Sequence, residues 1–291
     1  MISGLLGSVS AISHELTTCD TLLRSPLALS RRIGFVQLRG GSGASSTAGY
    51  VASMLARRRT GMVLGVNASA GETNMLWQAG LTRSAGSAMS DQERRRHPAI
   101  AADARAGLPV TGTGLIALDL ARDHLAASAG TWFEQVTPIA RFYDLVITDW
   151  GVRHRQVDLR QVARASHVVC LVARADRYPA EEAAALLPAL GEAEDQPQVV
   201  LALVDLGRTA ERTSQLLRSQ LRVPVLNIPY DARRAQARPV RSRQLANRTR
   251  LAYSRLGTAL MAEAVKPAYR RLVAPSIDGS QPAPVTGGGR S

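Results

Sequence analysis

Short apolar runs alternate along this chain with longer stretches in which apolar residues return every three or four positions. Ile33, Phe35, Val36 and Leu38 form the first run, and Met62–Val66, Leu145–Ile147, His167–Val172, Gln198–Val204 and Val223–Ile228 repeat it. Each has the length and β-branched content of a strand buried on both faces, and LPVTGTGLIALDL reads as a further strand. Between them lie helical patterns: one with Tyr50, Val51, Met54 and Leu55 on one face, one through Trp132, Phe133 and Ile139, one after Pro179, and one over Ser242–Ala264. This alternation predicts an α/β fold, a single doubly wound and mostly parallel sheet with helices on both faces, over residues 33–265. Residues 1–32 read as a helical N-terminal extension ending in Arg31 and Arg32. Residues 81–107 read as polar and irregular, and residues 266–291 as a flexible Pro/Gly-rich tail.

Between the first strand and the first helix stands RGGSGASST, with Gly40, Gly41 and Gly43 followed by Ser45, Ser46 and Thr47. Strand, Gly-rich turn, hydroxyl and helix is the layout of a phosphate-binding loop. Glycines let backbone N–H groups approach phosphate oxygens, and the helix N-terminus adds partial positive charge. The usual loop carries Lys just before its Ser/Thr to reach the β- and γ-phosphates. Ala44 holds that place, and the sole lysine of the chain is Lys266, so no shift of alignment supplies one.

Composition changes the picture at three points. A hydrophobic fraction of 45% with 4% aromatics, and no apolar run approaching 18 residues, indicates a soluble, helix-rich protein. The first twenty residues lack a basic segment and meet Glu15 early, a poor export signal; two distant cysteines, Cys19 and Cys170, suit a reducing cytoplasm. The net charge of +13, almost all arginine, suits acidic partners, whether nucleic acid, anionic lipid or an acidic protein.

The loop, the run FYDLVITDWG and the run VPVLNIPYDARRAQARP together resemble the MinD/ParA family of dimeric ATPases, whose deviant phosphate loop is roughly KGGxGKTT. The resemblance covers residues 33–264. It places Arg39 on the signature lysine that reaches across the dimer, Gly40, Gly41 and Gly43 on the loop glycines, Ala44 on the phosphate lysine, and Ser45 on the hydroxyl that binds Mg²⁺, with Ser46 beside it. Tyr143, Asp144, Asp149 and Gly151 match a strand whose terminal Asp binds Mg²⁺ through water, with Trp150 where a small residue is usual. A turn or helix-capping role is the other reading of Asp149. Pro229 falls where relatives place adenine. Asn67, Ala68 and Ser69 stand where the family has an acidic motif close to DADPQGN, whose second Asp arranges the attacking water. A neutral Asn and Ser supply neither base nor metal ligand.

The resemblance therefore implies ATP and Mg²⁺ as cofactors held by these residues, with efficient hydrolysis lost. It implies a homodimer working with protein partners in a cell-division, partition, pilus or secretion machine; segments also resemble actinobacterial septum-site, Tad-pilus and type VII secretion-associated MinD-like proteins. A slow but working ATPase is one alternative. A nonspecific DNA-binding partition protein is another, using the arginines at 233, 234, 238, 241, 243, 248 and 250, for which a solvated helix face is the first reading. Peripheral membrane contact through Ala268–Val273 is a weaker expectation. The run Arg94–Arg96 reads as surface, and His167 as a packed edge residue.

Overall fold

The computed structural model describes residues 14–81, 88–121, 125–153, 156–191, 197–207, 211–234 and 239–266. Seven parallel strands form one sheet in the order β3-β2-β4-β1-β5-β6-β7: β1 Arg31–Gln37, β2 Val63–Asn67, β3 Ile116–Asp119, β4 Leu145–Val152, β5 Val168–Arg174, β6 Gln198–Val204 and β7 Val225–Ile228. From β1 the chain winds outward to β2 and β3, then returns through β4 and proceeds to the other edge. The crevice where strand order reverses lies at the carboxyl ends of β1 and β4.

Alternation along each strand sorts side chains to two faces. Val168, Cys170 and Val172 join one core, while Val169, Leu171 and Ala173 join the other. The first core is covered by α2 (Ala44–Arg58), α3 (Met75–Gln78) and α11 (Asn247–Val265). The second is covered by α6 (Ala129–Ala140), α7 (Gln156–Ala165), α8 (Arg177–Ala185), α9 (Leu187–Gly191) and α10 (Glu211–Gln220). The doubly wound α/β architecture expected from the sequence is the one observed.

Four local readings change. The first strand begins at Arg31, so Arg31 and Arg32 belong to the sheet rather than to a preceding segment. Helix α1 (residues 14–24) is packed onto the domain, with Leu23 fully buried and Arg255 bonded to Glu15. The stretch taken as irregular contains two helices, α4 (Met89–Arg96) and α5 (Ala101–Ala104). Of the three arginines read as surface, Arg94 and Arg96 pair with Asp103 and with Glu93 and Glu134, but Arg95 is buried and bonded to the Ala106 carbonyl. The last helical pattern divides into a 3-10 turn, Ser242–Gln244, and α11. The expected tail, including Ala268–Val273, lies outside the described residues.

Trp150 and Asp149 are neighbours that face opposite ways. Trp150 is buried against Trp132, at 5.9 Å between ring centres, and a Cβ on Gly34 would come within 2.9 Å of its Nε1. The large ring therefore fills the far core and leaves the Asp149 side of β4 undisturbed.

Candidate functional site

The loop after β1 is shaped by two left-handed glycines, Gly41 at φ 78° and Gly43 at φ 87°. Gly43 is the N-cap of α2, and its carbonyl accepts from Thr47 N–H at 2.9 Å to start the helix. A Cβ at Gly40 or Gly41 would meet nothing within 4 Å, so the loop opens outward there, while at Gly43 it would approach Val204 at 3.4 Å. Bare backbone and an uncapped helix start are what a phosphate group requires.

The position before Ser45 is closed instead of charged. Ala44 is 1% exposed and belongs to the apolar core, and its N–H donates to Gln37 Oε1 at 3.3 Å. Gln37 is the last residue of β1, where the pairing with β4 shifts register, and its side chain supplies an oxygen to an amide that a phosphate would otherwise use. Arg39 points elsewhere: its guanidinium forks onto Glu182 of α8 at 2.8 and 2.9 Å and lies over the Tyr178 ring. Ser46 faces along α2 into a cavity beside that helix. Pro229 follows β7, one strand beyond the strand that Gly43 abuts.

At the adjoining strand ends the register sets Asn67 opposite both Asp149 and Asp119. A continuous hydrogen-bond chain results. Asn67 Nδ2 donates to Asp119 Oδ1 at 2.8 Å; Asn67 Oδ1 accepts from Ser69 N–H and Oγ at 3.1 and 2.7 Å; Ser69 also reaches Asp149 Oδ2 at 3.1 Å. Asp149 is fully buried and accepts further from Gly151 N–H at 3.0 Å, from the Ser45 hydroxyl and from Met75 N–H. Burial raises its carboxyl above the usual range, against the pull of those donors. Gly151, at φ 64°, lets β4 turn close over Ser69.

Arg153 lies within electrostatic reach of Asp149, its guanidinium held on the carbonyls of Ala127 at 2.8 Å and Ala68 at 3.3 Å. Burial lowers its pKa from the usual guanidinium range, opposed by Asp158 and Asp149. Gln37, Asp119 and Arg153 were not singled out in the sequence. The available signal was position: Gln37 and Asp119 each end a strand at the same edge of the sheet as Asn67.

The structure thus brings Gly40–Ser45 and Asp149 together and sets Arg39 apart. The loop fits a phosphate group. It fits a magnesium ion where Ser45 and Asp149 give up their mutual hydrogen bond, the hydroxyl and carboxylate being the hard oxygen donors such an ion takes. No residue here places a lysine ammonium on the phosphates, and no second-strand carboxylate faces a reacting water.

No family model matches the chain, and no curated protein matches it in sequence. Solved structures do match in fold. The cell division ATPase MinD of Pyrococcus furiosus is 17% identical over 82% of this chain and 100% of its own, with a TM-score of 0.60. The septum site-determining protein MinD of Pyrococcus horikoshii OT3, complexed with Mg-ADP, is 17% identical over 78% of this chain and 94% of its own, also at 0.60. A ParA family ATPase from Chlorobium tepidum TLS is 19% identical over 83% and 95%, at 0.55. The chain has the fold of MinD/ParA-type phosphate-loop ATPases.

Proposed function

We propose that this protein is a degenerate MinD/ParA-like phosphate-loop protein, a nucleotide-binding or pseudo-ATPase scaffold that works by protein–protein interaction in positioning or assembling a cell-division, partition, pilus or secretion machine. The observation that carries this is the combination at Ala44, Asn67 and Asp149: the charge-bearing positions of the loop and second strand are neutral, and the remaining carboxylate is buried under four donors. In such sites catalysis is mostly charge stabilisation, and losing one contact of that kind costs about 2.7–4 kcal/mol of transition-state stabilisation. Losing two leaves a binding site without turnover. Homodimerisation through the loop face, and partners drawn from such a machine, belong to the same reading.

The second reading, a slow Mg²⁺-dependent ATPase, is favoured by one contact, that of Ser45 with Asp149. Binding of ATP·Mg²⁺ by calorimetry, beside steady-state phosphate release, separates the two. The scaffold reading expects no phosphate release above buffer, with any nucleotide affinity lost in Asp149→Ala. Turnover that requires Mg²⁺ and disappears in Asp149→Ala would overturn it in favour of the ATPase. Of the arginines of the DNA-binding alternative, Arg234 is half-buried and lies over the Tyr253 ring, less free to follow a nucleic-acid backbone than an exposed arginine.

A further inference from the structure

A cavity of about 690 Å³ runs beside α2, from Ser46 in its first turn to Arg57 and Arg58 in its last. At 1.5 Å per residue that is about 16 Å of groove. Its other wall is formed by Arg234 and by residues 239–243 with Leu245, which bring Arg234, Arg241 and Arg243 toward the helix. Five guanidinium groups line this space, and no Asp or Glu does among the described residues.

The sequence explains the imbalance. No acidic residue occurs between Asp20 and Glu72, or between Asp231 and Glu263, and the second of these intervals holds eight arginines. Neither wall can neutralise itself locally. Arg58 takes Asp20 at 3.1 Å as its counterion, and Arg234 lies at 4.9 Å over Tyr253 with Asp231 near. Arg57, Arg241 and Arg243 have no carboxylate partner among the described residues. Ser53 adds a buried hydroxyl on the same helix face, without a hydrogen-bond partner among the described residues. Met54, Val240 and Leu245 make an apolar floor.

Cations gathered along a low-dielectric cleft repel one another and focus a field that anions relieve, and guanidinium matches phosphate bidentately. The volume falls in the range of small-molecule sites, roughly 300–1,000 Å³. The apolar floor favours a ligand with a carbon or ring framework over a bare ion. We propose that this groove is a second anion site, separate from the phosphate loop, that takes a compact organic molecule carrying two or more phosphate groups. It stands whether or not the loop binds nucleotide.

The test uses the full chain and adenosine 3′,5′-bisphosphate without Mg²⁺, a probe with two phosphates on a ring framework and no polyphosphate chain for the loop. Calorimetry should give saturable one-to-one binding, weakened at least tenfold in Arg241→Glu/Arg243→Glu and again in Arg57→Gln. Affinity should stay within about twofold in Gly40→Asp, which places a carboxylate in the phosphate loop at a position with room for it. It should also stay within about twofold in Arg160→Glu/Arg222→Glu, an exposed pair outside the groove, each variant being shown folded by its melting temperature. Absence of saturable binding overturns the proposal. An equal loss in the Arg160/Arg222 control overturns it in favour of a diffuse field, and loss in Gly40→Asp with the groove variants unaffected overturns it in favour of the loop.

Discussion

A carboxyl group without solvent contact lives on its donors, and Asp149 has four: the Ser45 and Ser69 hydroxyls and the N–H groups of Met75 and Gly151. Because burial raises its pKa in the fold, the folded state holds the proton more tightly than the unfolded chain. Stability is then full below the ordinary carboxylate range and falls as pH rises through that range toward the folded value. Asp149→Asn is expected to raise the melting temperature at pH 8, with the gain shrinking toward pH 4; a gain independent of pH would refute this origin. His167 has the opposite sign. Its Nδ1 accepts from Arg32 N–H at 3.0 Å, and burial, with Arg32 and Arg31 adding, lowers it from 6.5 to about 4. The unfolded chain therefore binds the extra proton, and stability falls as pH drops from 6.5 toward 4, by up to about 3 kcal/mol at 1.36 kcal/mol per pH unit. Denaturant melts at pH 7 and pH 5 should diverge in the native chain and converge in His167→Gln. At the loop, Gln37→Ala frees the Ala44 amide, and is expected to raise affinity for ADP several-fold; unchanged affinity would show that the Gln37 oxygen does not compete with phosphate.

Elements were more legible than their edges. The buried strands and the helix after RGGSGASST follow from uniform apolar runs and a 3.6-residue period, which few alternatives satisfy. Arg31 and Arg32 hid the start of β1, because a strand-initial arginine can reach out of the sheet: Arg31 Nε bonds the Ala264 carbonyl at 2.7 Å and Arg32 Nε that of Ala165 at 2.9 Å. Helices α4 and α5 hid for a related reason, since Arg95 holds a buried place that charge patterning assigns to solvent. The candidate site was legible where it is local in sequence, at Gly40–Ser45, and illegible where strand register assembles it, as with Asp119 and Gln37. Arg59 shows the same limit. At the end of α2 it is 8% exposed and donates to the carbonyls of Leu23 and Ser25 at 3.0 and 2.8 Å, fastening the end of α1 and the residue after it. Removing both bonds in Arg59→Met should cost about 2 kcal/mol and lower the melting temperature by about 4–8 °C. Hydrogen exchange should then quicken in residues 14–24 more than in β1.

Across the whole molecule the charge is unevenly distributed. Acid-free intervals, one containing α2 and one leading into α11, give one side of the sheet a surplus of arginine, while Glu181, Glu182 and Asp176 gather around α8. With a net charge of +13, self-repulsion opposes the compact state, so salt should stabilise it. Between 0.01 M and 1 M salt the screening length falls from about 30 Å to about 3 Å, and the melting temperature in NaCl should rise over that range. No described helix is long and apolar enough to cross a membrane.

Helix α2 begins in the phosphate loop and lines the arginine groove along its length, and Gly257 and Tyr253 of α11 press against its Met54 and Tyr50. Any displacement of this helix along its axis would be felt at the loop and in the groove together. Two ligands that touch one helix, one at its start and one along its side, can share a coupling free energy. If the groove ligand tightens phosphate binding by some factor, phosphate must tighten the groove ligand by that same factor. A titration of either ligand in the presence of the other would measure this communication without any turnover to follow.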